Sequence, residues 1–151
     1  MAFCALSEAK GMDIKMKCYE LRVNTKLYDI MEAVADSQEL IWNNSDGKLE
    51  KGDVVYIIIR GKLMGKAICG MQVVIRDVTE LPGGKKYWDF KSEILENHIE
   101  NRNFIKLVNY QSVLPSFRQN KMVLSEVKLN RRGICEISPQ KYCDIKFVRV
   151  L

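Results

Sequence analysis

Lys48-Leu-Glu-Lys-Gly-Asp-Val-Val-Tyr-Ile-Ile-Ile59, the connection Arg60-Gly-Lys-Leu-Met-Gly-Lys66, and Ala67-Ile-Cys-Gly-Met-Gln-Val-Val-Ile-Arg-Asp77 decide the fold. Gly52-Asp53 is a turn signal, and six apolar or aromatic residues follow it from Val54 to Ile59. A continuous β-branched run of that length predicts a strand covered on both faces, or the wall of a barrel. Arg60 to Lys66 reads as the link and Ala67 to Ile75 as the returning strand. Ile41-Trp42-Asn43-Asn44-Ser45 comes just before this hairpin, an aromatic beside polar amides. Trp42 is expected at the mouth of a pocket whose wall is the hairpin.

Working outward, residues 1–13 show no period and read as a lead-in, with a short turn of helix at Ser7 to Lys10. Residues 14–151 read as one domain. Ile14 to Val23 reads as a strand whose apolar phase shifts: Ile14, Met16 and Cys18 share one face, Tyr19, Leu21 and Val23 the other. That pattern fits a bulge or burial on both faces. Asn24-Thr25 offers a helix N-cap. Leu27, Ile30, Met31, Val34 and Ala35 then follow helical spacing for about three turns. Leu40-Ile41-Trp42 re-enters as a short extended segment. Past the hairpin, Pro82-Gly83-Gly84 marks a loop. Tyr87 to Phe90 reads as a short strand, Glu93 to Asn103 as a helical turn or loop, and Phe104 to Val113 as a strand. Val123 to Leu129 fits a helix or a strand, and Asn130 to Gly133 a basic turn. Ile134 to Ile137 is extended, and Ser138-Pro139 opens a final helix reaching Arg149. The fold class is α+β: a small mixed, mainly antiparallel β-barrel with two or three short flanking helices.

Composition narrows the class. At 151 residues with 47% hydrophobic and 28% charged residues, the chain has the make-up of a soluble globular domain. No apolar run approaches the ~20 residues of a membrane helix, and Met1 to Leu6 lacks a signal peptide's basic start. The expectation is a cytoplasmic protein with no membrane partner. The five cysteines form no C-x-x-C pair, and His98 is the one histidine. Reduced, mostly buried thiols are expected, with no metal site and no cofactor. Net charge is +5. From Arg118 to Leu151, eight basic residues face three acidic ones, so the whole excess lies in the last third. Such a footprint suits a phosphate backbone, and equally a solvated face without a partner.

The order Met16-Lys-Cys-Tyr-Glu-Leu-Arg-Val-Asn-Thr-Lys-Leu-Tyr-Asp-Ile30, then Leu40-Ile-Trp-Asn-Asn-Ser45, then Lys51-Gly-Asp-Val-Val-Tyr-Ile-Ile-Ile59 resembles the EVE-type branch of the PUA-like superfamily, related to YTH and ASCH domains. Gly70-Met-Gln-Val-Val-Ile-Arg-Asp77, the Arg131-Arg132-Gly133 turn and Ile137-Ser-Pro-Gln140 extend the likeness to the C-terminal part. The chain departs from the pattern at Tyr19, where a Trp is common, and over Lys86 to Asn103, which has no counterpart. The resemblance implies a PUA-like β-barrel that binds nucleic acid, DNA or RNA, and holds a modified base in an aromatic-lined pocket. Similar modules occur in prokaryotic defence and restriction systems.

Reading an unpaired base takes a stacking surface, edge hydrogen-bonders and phosphate neutralisation. On that expectation Tyr19, Trp42 and Trp88 are the candidate aromatics. Asn24, Asn43 and Ser45 are the candidate edge readers. Arg131, Arg132 and Lys141 are the candidate phosphate contacts. Each has a structural alternative: packing for the aromatics, the helix cap for Asn24, a solvated turn for the arginines. Asp53 and Asp77 fit turn duty, and Glu93, Glu96 and Glu100 a solvated helical face. No catalytic constellation is visible, so the expectation is a reader and not an enzyme. The alternatives are an enzyme acting on nucleic acid and a module binding a protein or small ligand on the same barrel.

Overall fold

In the computed structural model, residues 16–88, 102–114 and 133–149 are described. Strands β1 (Cys18–Arg22), β2 (Leu40–Asn43), β3 (Val54–Ile59), β4 (Lys62–Ile75), β5 (Arg102–Val113), β6 (Ile134–Ile137) and β7 (Phe147–Arg149) form one seven-stranded sheet. Its order is β2-β5-β4-β3-β1-β6, and β7 lies beside β2 on the outer edge of β5. The pair β1–β3 is parallel and the others are antiparallel. The sheet curls into a half-barrel, and one short helix, α1 (Ile30–Ala35), packs into the main core on one of its faces. Among the described residues two 3-10 turns, Val78–Glu80 and Gly84–Lys86, are the other helical pieces. No described helix is long and apolar enough to cross a membrane.

The run Val54 to Ile59 is covered on both sides, as its composition predicts. Val55 and Ile57 join Tyr19, Leu21, Ala67, Cys69, Ile105 and α1 in the main core. Val54, Tyr56 and Ile58 join Cys18, Leu63, Val113 and Tyr142 in a second core on the other face. The phase shift read in β1 has the same origin: Cys18 serves one core, Tyr19 and Leu21 the other.

Three expectations are corrected. The β3–β4 link is two residues long, Arg60-Gly61, with φ of +52° and +78°, the left-handed pair of a type I′ hairpin turn. β4 therefore starts at Lys62 and not at Ala67. The early helix is short because the backbone before it is engaged elsewhere. Tyr28 forms a β-bridge with Trp88, and the Asp29 N–H donates to the Tyr87 carbonyl at 2.7 Å. Asp29, not Asn24, is the N-cap, accepting from the Glu32 N–H at 3.3 Å. The final helix is replaced by tight turns and a strand. Bonds three residues apart close Gln140–Cys143 and Tyr142–Ile145, and β7 then pairs with Gln111 to Val113. The spacing of Tyr142 and Ile145 is met by a turn over the second core.

Cys18, Cys69 and Cys135 are buried and Cys143 is half-buried. Burial, with the Asp53 carboxylate beside it, pushes the Cys69 thiol up to about 12. Asp53 caps its own turn, accepting from the Lys17 and Glu50 N–H groups. The readings for residues 1–13, 93–101 and 123–129 fall outside the described residues.

Candidate functional site

Register across the sheet assembles the site. Cys135 stands opposite Glu20, Glu20 opposite Tyr56, Tyr56 opposite Lys66, Lys66 opposite Gln111, and Gln111 opposite Arg149. This row crosses β6, β1, β3, β4, β5 and β7, with neighbouring strands about 4.8 Å apart. The row on one side of it, Cys18, Val54, Ile68 and Val108, is apolar.

Two bulges set that register. At Ile57/Ile58 of β3, Met64 is the extra residue on β4. On β5, Asn109 and Tyr110 together face Ala67. Asn109 has φ of +55°, which asparagine tolerates better than most residues. Before this bulge Ile105 and Leu107 point into the main core. After it Tyr110 takes that side, and Gln111 is on the second face with Val113. Tyr110 crosses over Gly65 and donates to the Met64 carbonyl at 3.3 Å. A Cβ on Gly65 would collide with the Tyr110 hydroxyl and the Gln111 carbonyl.

On the second face a cavity of about 280 Å³ is lined by Tyr56, Lys66, Asn109, Gln111, Tyr142 and Phe147, with Cys18 and Cys143 among its other walls. Its size falls just below the ~300–1,000 Å³ of small-ligand clefts. Tyr56 packs tilted against Tyr142 at 4.7 Å and against Phe147 at 6.0 Å. The Lys66 ammonium lies 4.6 Å from the Phe147 ring centroid. Tyr142 is pinned from behind: its hydroxyl donates to the fully buried Glu20 carboxylate, which also takes the Lys141 ammonium at 2.6 Å. Burial, and next this bond, push the Tyr142 phenol far above its ordinary range. A wider groove of about 500 Å³ lies between β2 and β7, bounded by Glu39, Tyr110 and Arg149, and Asn109 lines both.

The residues expected from the sequence are scattered. Tyr19 is buried in the main core, its ring 5.8 Å from the Lys48 ammonium. Burial, then the Asp53 charge, raises its phenol to about 12. Asn24 is exposed and accepts from the Lys26 N–H at 3.0 Å. Trp42 is half-buried and packs on the main core opposite Ile105. Asn43 and Ser45 bond each other, the Asn43 side-chain oxygen accepting from the Ser45 N–H and hydroxyl. The fully buried amide here is Asn44, which ties the loop to Leu49 and Gln72. Trp88 is buried with Tyr28 stacked on it at 3.8 Å. Arg131 and Arg132 lie outside the described residues. Among the described members of the set, Lys141 alone reaches the cavity wall, through Glu20 and Tyr142.

Lys66, Gln111 and Phe147 escaped sequence reading for stated reasons. Lys66 looked like part of a loop, Gln111 like the polar side of a strand, and Phe147 like part of a helix. Among the described residues no three His, Cys, Asp or Glu side chains stand close enough to hold a metal. Compared with known proteins, the chain matches no family model, no curated protein and no solved structure.

Proposed function

We propose that the protein is a nucleic-acid reader that holds one unpaired base, plain or modified, in the cavity on the second face. The half-barrel is then the PUA-like barrel that the sequence resembles. The observation that carries the reading is the register of Tyr56, Lys66 and Gln111, which sets an aromatic, a cation and an amide side by side along one cavity wall. Such a wall offers stacking, charge and edge hydrogen bonds to one planar ligand. The basic excess of the last third supports it, with Lys146 and Arg149 flanking the cavity residue Phe147.

The test is fluorescence anisotropy with labelled single-stranded DNA and RNA, with and without methylated or hydroxymethylated bases. Binding should weaken as salt rises. Phe147→Ala should cost about 1–3 kcal/mol, the usual worth of one base–aromatic contact. Trp42→Ala, on the opposite face, should leave affinity within about twofold. Loss with Trp42→Ala and none with Phe147→Ala would return the base to the mouth expected from the sequence. No salt-dependent binding to any oligonucleotide would end the reader hypothesis.

A further inference from the structure

Lys66 differs from the paired lysines of this structure. Lys86, Lys106 and Lys141 each meet a carboxylate, at 2.8, 3.1 and 2.6 Å. Among the described residues Lys66 meets none, and no Asp or Glu lines its cavity. Lys66 is half-buried, its ammonium over the Phe147 ring, with Gln111 next to it in register. An ammonium has three donors and no acceptor, whereas a Gln amide has both.

Resting on the reading above, we infer that this pair makes the cavity selective for a base with a lactam edge, a ring C=O beside a ring N–H. Guanine, uracil and thymine carry that edge. Lys66 donates to the exocyclic oxygen, and the Gln111 side-chain oxygen accepts from the adjacent ring N–H. Adenine would turn an amino group toward Lys66, donor against donor. Cytosine has the oxygen but no N–H beside it. Both lose at least one of the two bonds and leave a polar group of the cavity unsatisfied. The aromatic walls supply affinity for any base, so the choice among bases falls to Lys66 and Gln111.

The experiment uses the full chain and a set of single-stranded oligonucleotides identical but for one central base: G, U, T, A, C or N3-methylthymine. The lactam bases should bind roughly five- to 150-fold tighter than A, the range one bidentate contact supplies. N3-methylthymine, which lacks the N–H, should fall toward A. Lys66→Met keeps the stem on Phe147 and should bring G, U and T to within about threefold of A. Lys66→Arg should retain the preference. Thermal melts of both variants establish that they fold. Equal binding of A and G by the wild type overturns the inference and leaves the reader standing. A uniform loss across all bases in Lys66→Met, with a shallower salt slope, makes Lys66 a phosphate contact and also overturns it. Absence of binding to every oligonucleotide removes both claims together.

Discussion

Replacing Lys141 with Met should destabilise the protein more than replacing Glu20 with Gln, although the two remove opposite halves of one ion pair. Glu20 is fully buried, whereas the Lys141 side chain keeps 31% of its exposure. In Glu20→Gln an amide oxygen in the same place can still accept from the Tyr142 hydroxyl and from the Lys141 ammonium, which also reaches water. What is lost is the charge assistance of two hydrogen bonds. Each drops from about 1.5–3 to about 0.5–1.5 kcal/mol, and relief of carboxylate desolvation offsets part of that. The expected cost is about 1–2 kcal/mol.

In Lys141→Met the carboxylate stays buried with one cation fewer. Stranding a buried charge costs about 3–5 kcal/mol when nothing replaces the partner. Here Tyr142 still donates to Glu20, and Arg22 is close enough to weigh on the Tyr142 phenol, so the cost should be lower, about 2–3 kcal/mol. Urea unfolding of the wild type, both single variants and the double variant measures all three terms. The double variant should cost less than the sum, since with Gln at position 20 no charge is left stranded. If Lys141→Met proves the milder change, burial of the carboxylate does not govern this pair and the argument fails.

Two further outcomes follow from the same geometry. Gly65→Ala forces a Cβ against the Tyr110 hydroxyl and the Gln111 carbonyl, so it should cost about 1–3 kcal/mol in urea unfolding and weaken oligonucleotide binding by displacing Gln111. Stability should also fall in alkali. The phenols of Tyr19, Tyr28 and Tyr142 are raised in the fold, Tyr19 to about 12, chiefly by burial, against an ordinary value of 10.0. A raised value means the folded state keeps protons that the unfolded chain releases. This stabilisation is complete below about pH 10 and is lost as pH climbs toward the folded values. Each such tyrosine adds a slope of about 1.4 kcal/mol per pH unit. Unfolding midpoints alongside a phenolate absorbance titration check it; a flat stability from about pH 10 to pH 11.5 would contradict the burial of these rings.

Residues whose neighbours in sequence are also their environment were legible. The Val54 to Ile59 run announced a doubly covered strand, Phe104 to Val113 a long strand, and Gly52-Asp53 a turn, because composition and period alone determine them. The helix start was misplaced because Tyr28 and Asp29 pair with Tyr87 and Trp88, about 60 residues on, and nothing local reports that. The last helix failed for a related reason: Gln111 to Val113 offered an open strand edge, and residues of weak local preference took it. The cavity was illegible because it depends on register. One extra residue at Met64 and one at Asn109–Tyr110 decide which face Lys66 and Gln111 reach. A slip of one residue sends a side chain to the opposite face. Aromatic-plus-amide composition drew attention to Trp42, Asn43 and Ser45, whose polar groups are largely occupied by one another.

The row from Glu20 to Arg149 runs beside an apolar one, and on stability alone its inner positions would favour apolar residues. Departures from that preference tend to mark sites with another duty. Here the row divides at Tyr56. On the β1 side, Glu20 is occupied by Lys141 and Tyr142, which hold the turn after β6 against the sheet. On the β4 and β5 side, Lys66 and Gln111 make no side-chain ion pair or hydrogen bond with any described residue, yet both line the cavity. The occupied half explains itself as a clamp that positions the Tyr142 ring. The open half has no such polar partner among the described residues, Lys66 meeting the Phe147 ring instead, and on the proposed reading its chemistry is directed at what enters the cavity. That asymmetry, more than the presence of aromatics, separates the proposed binding wall from the supporting one.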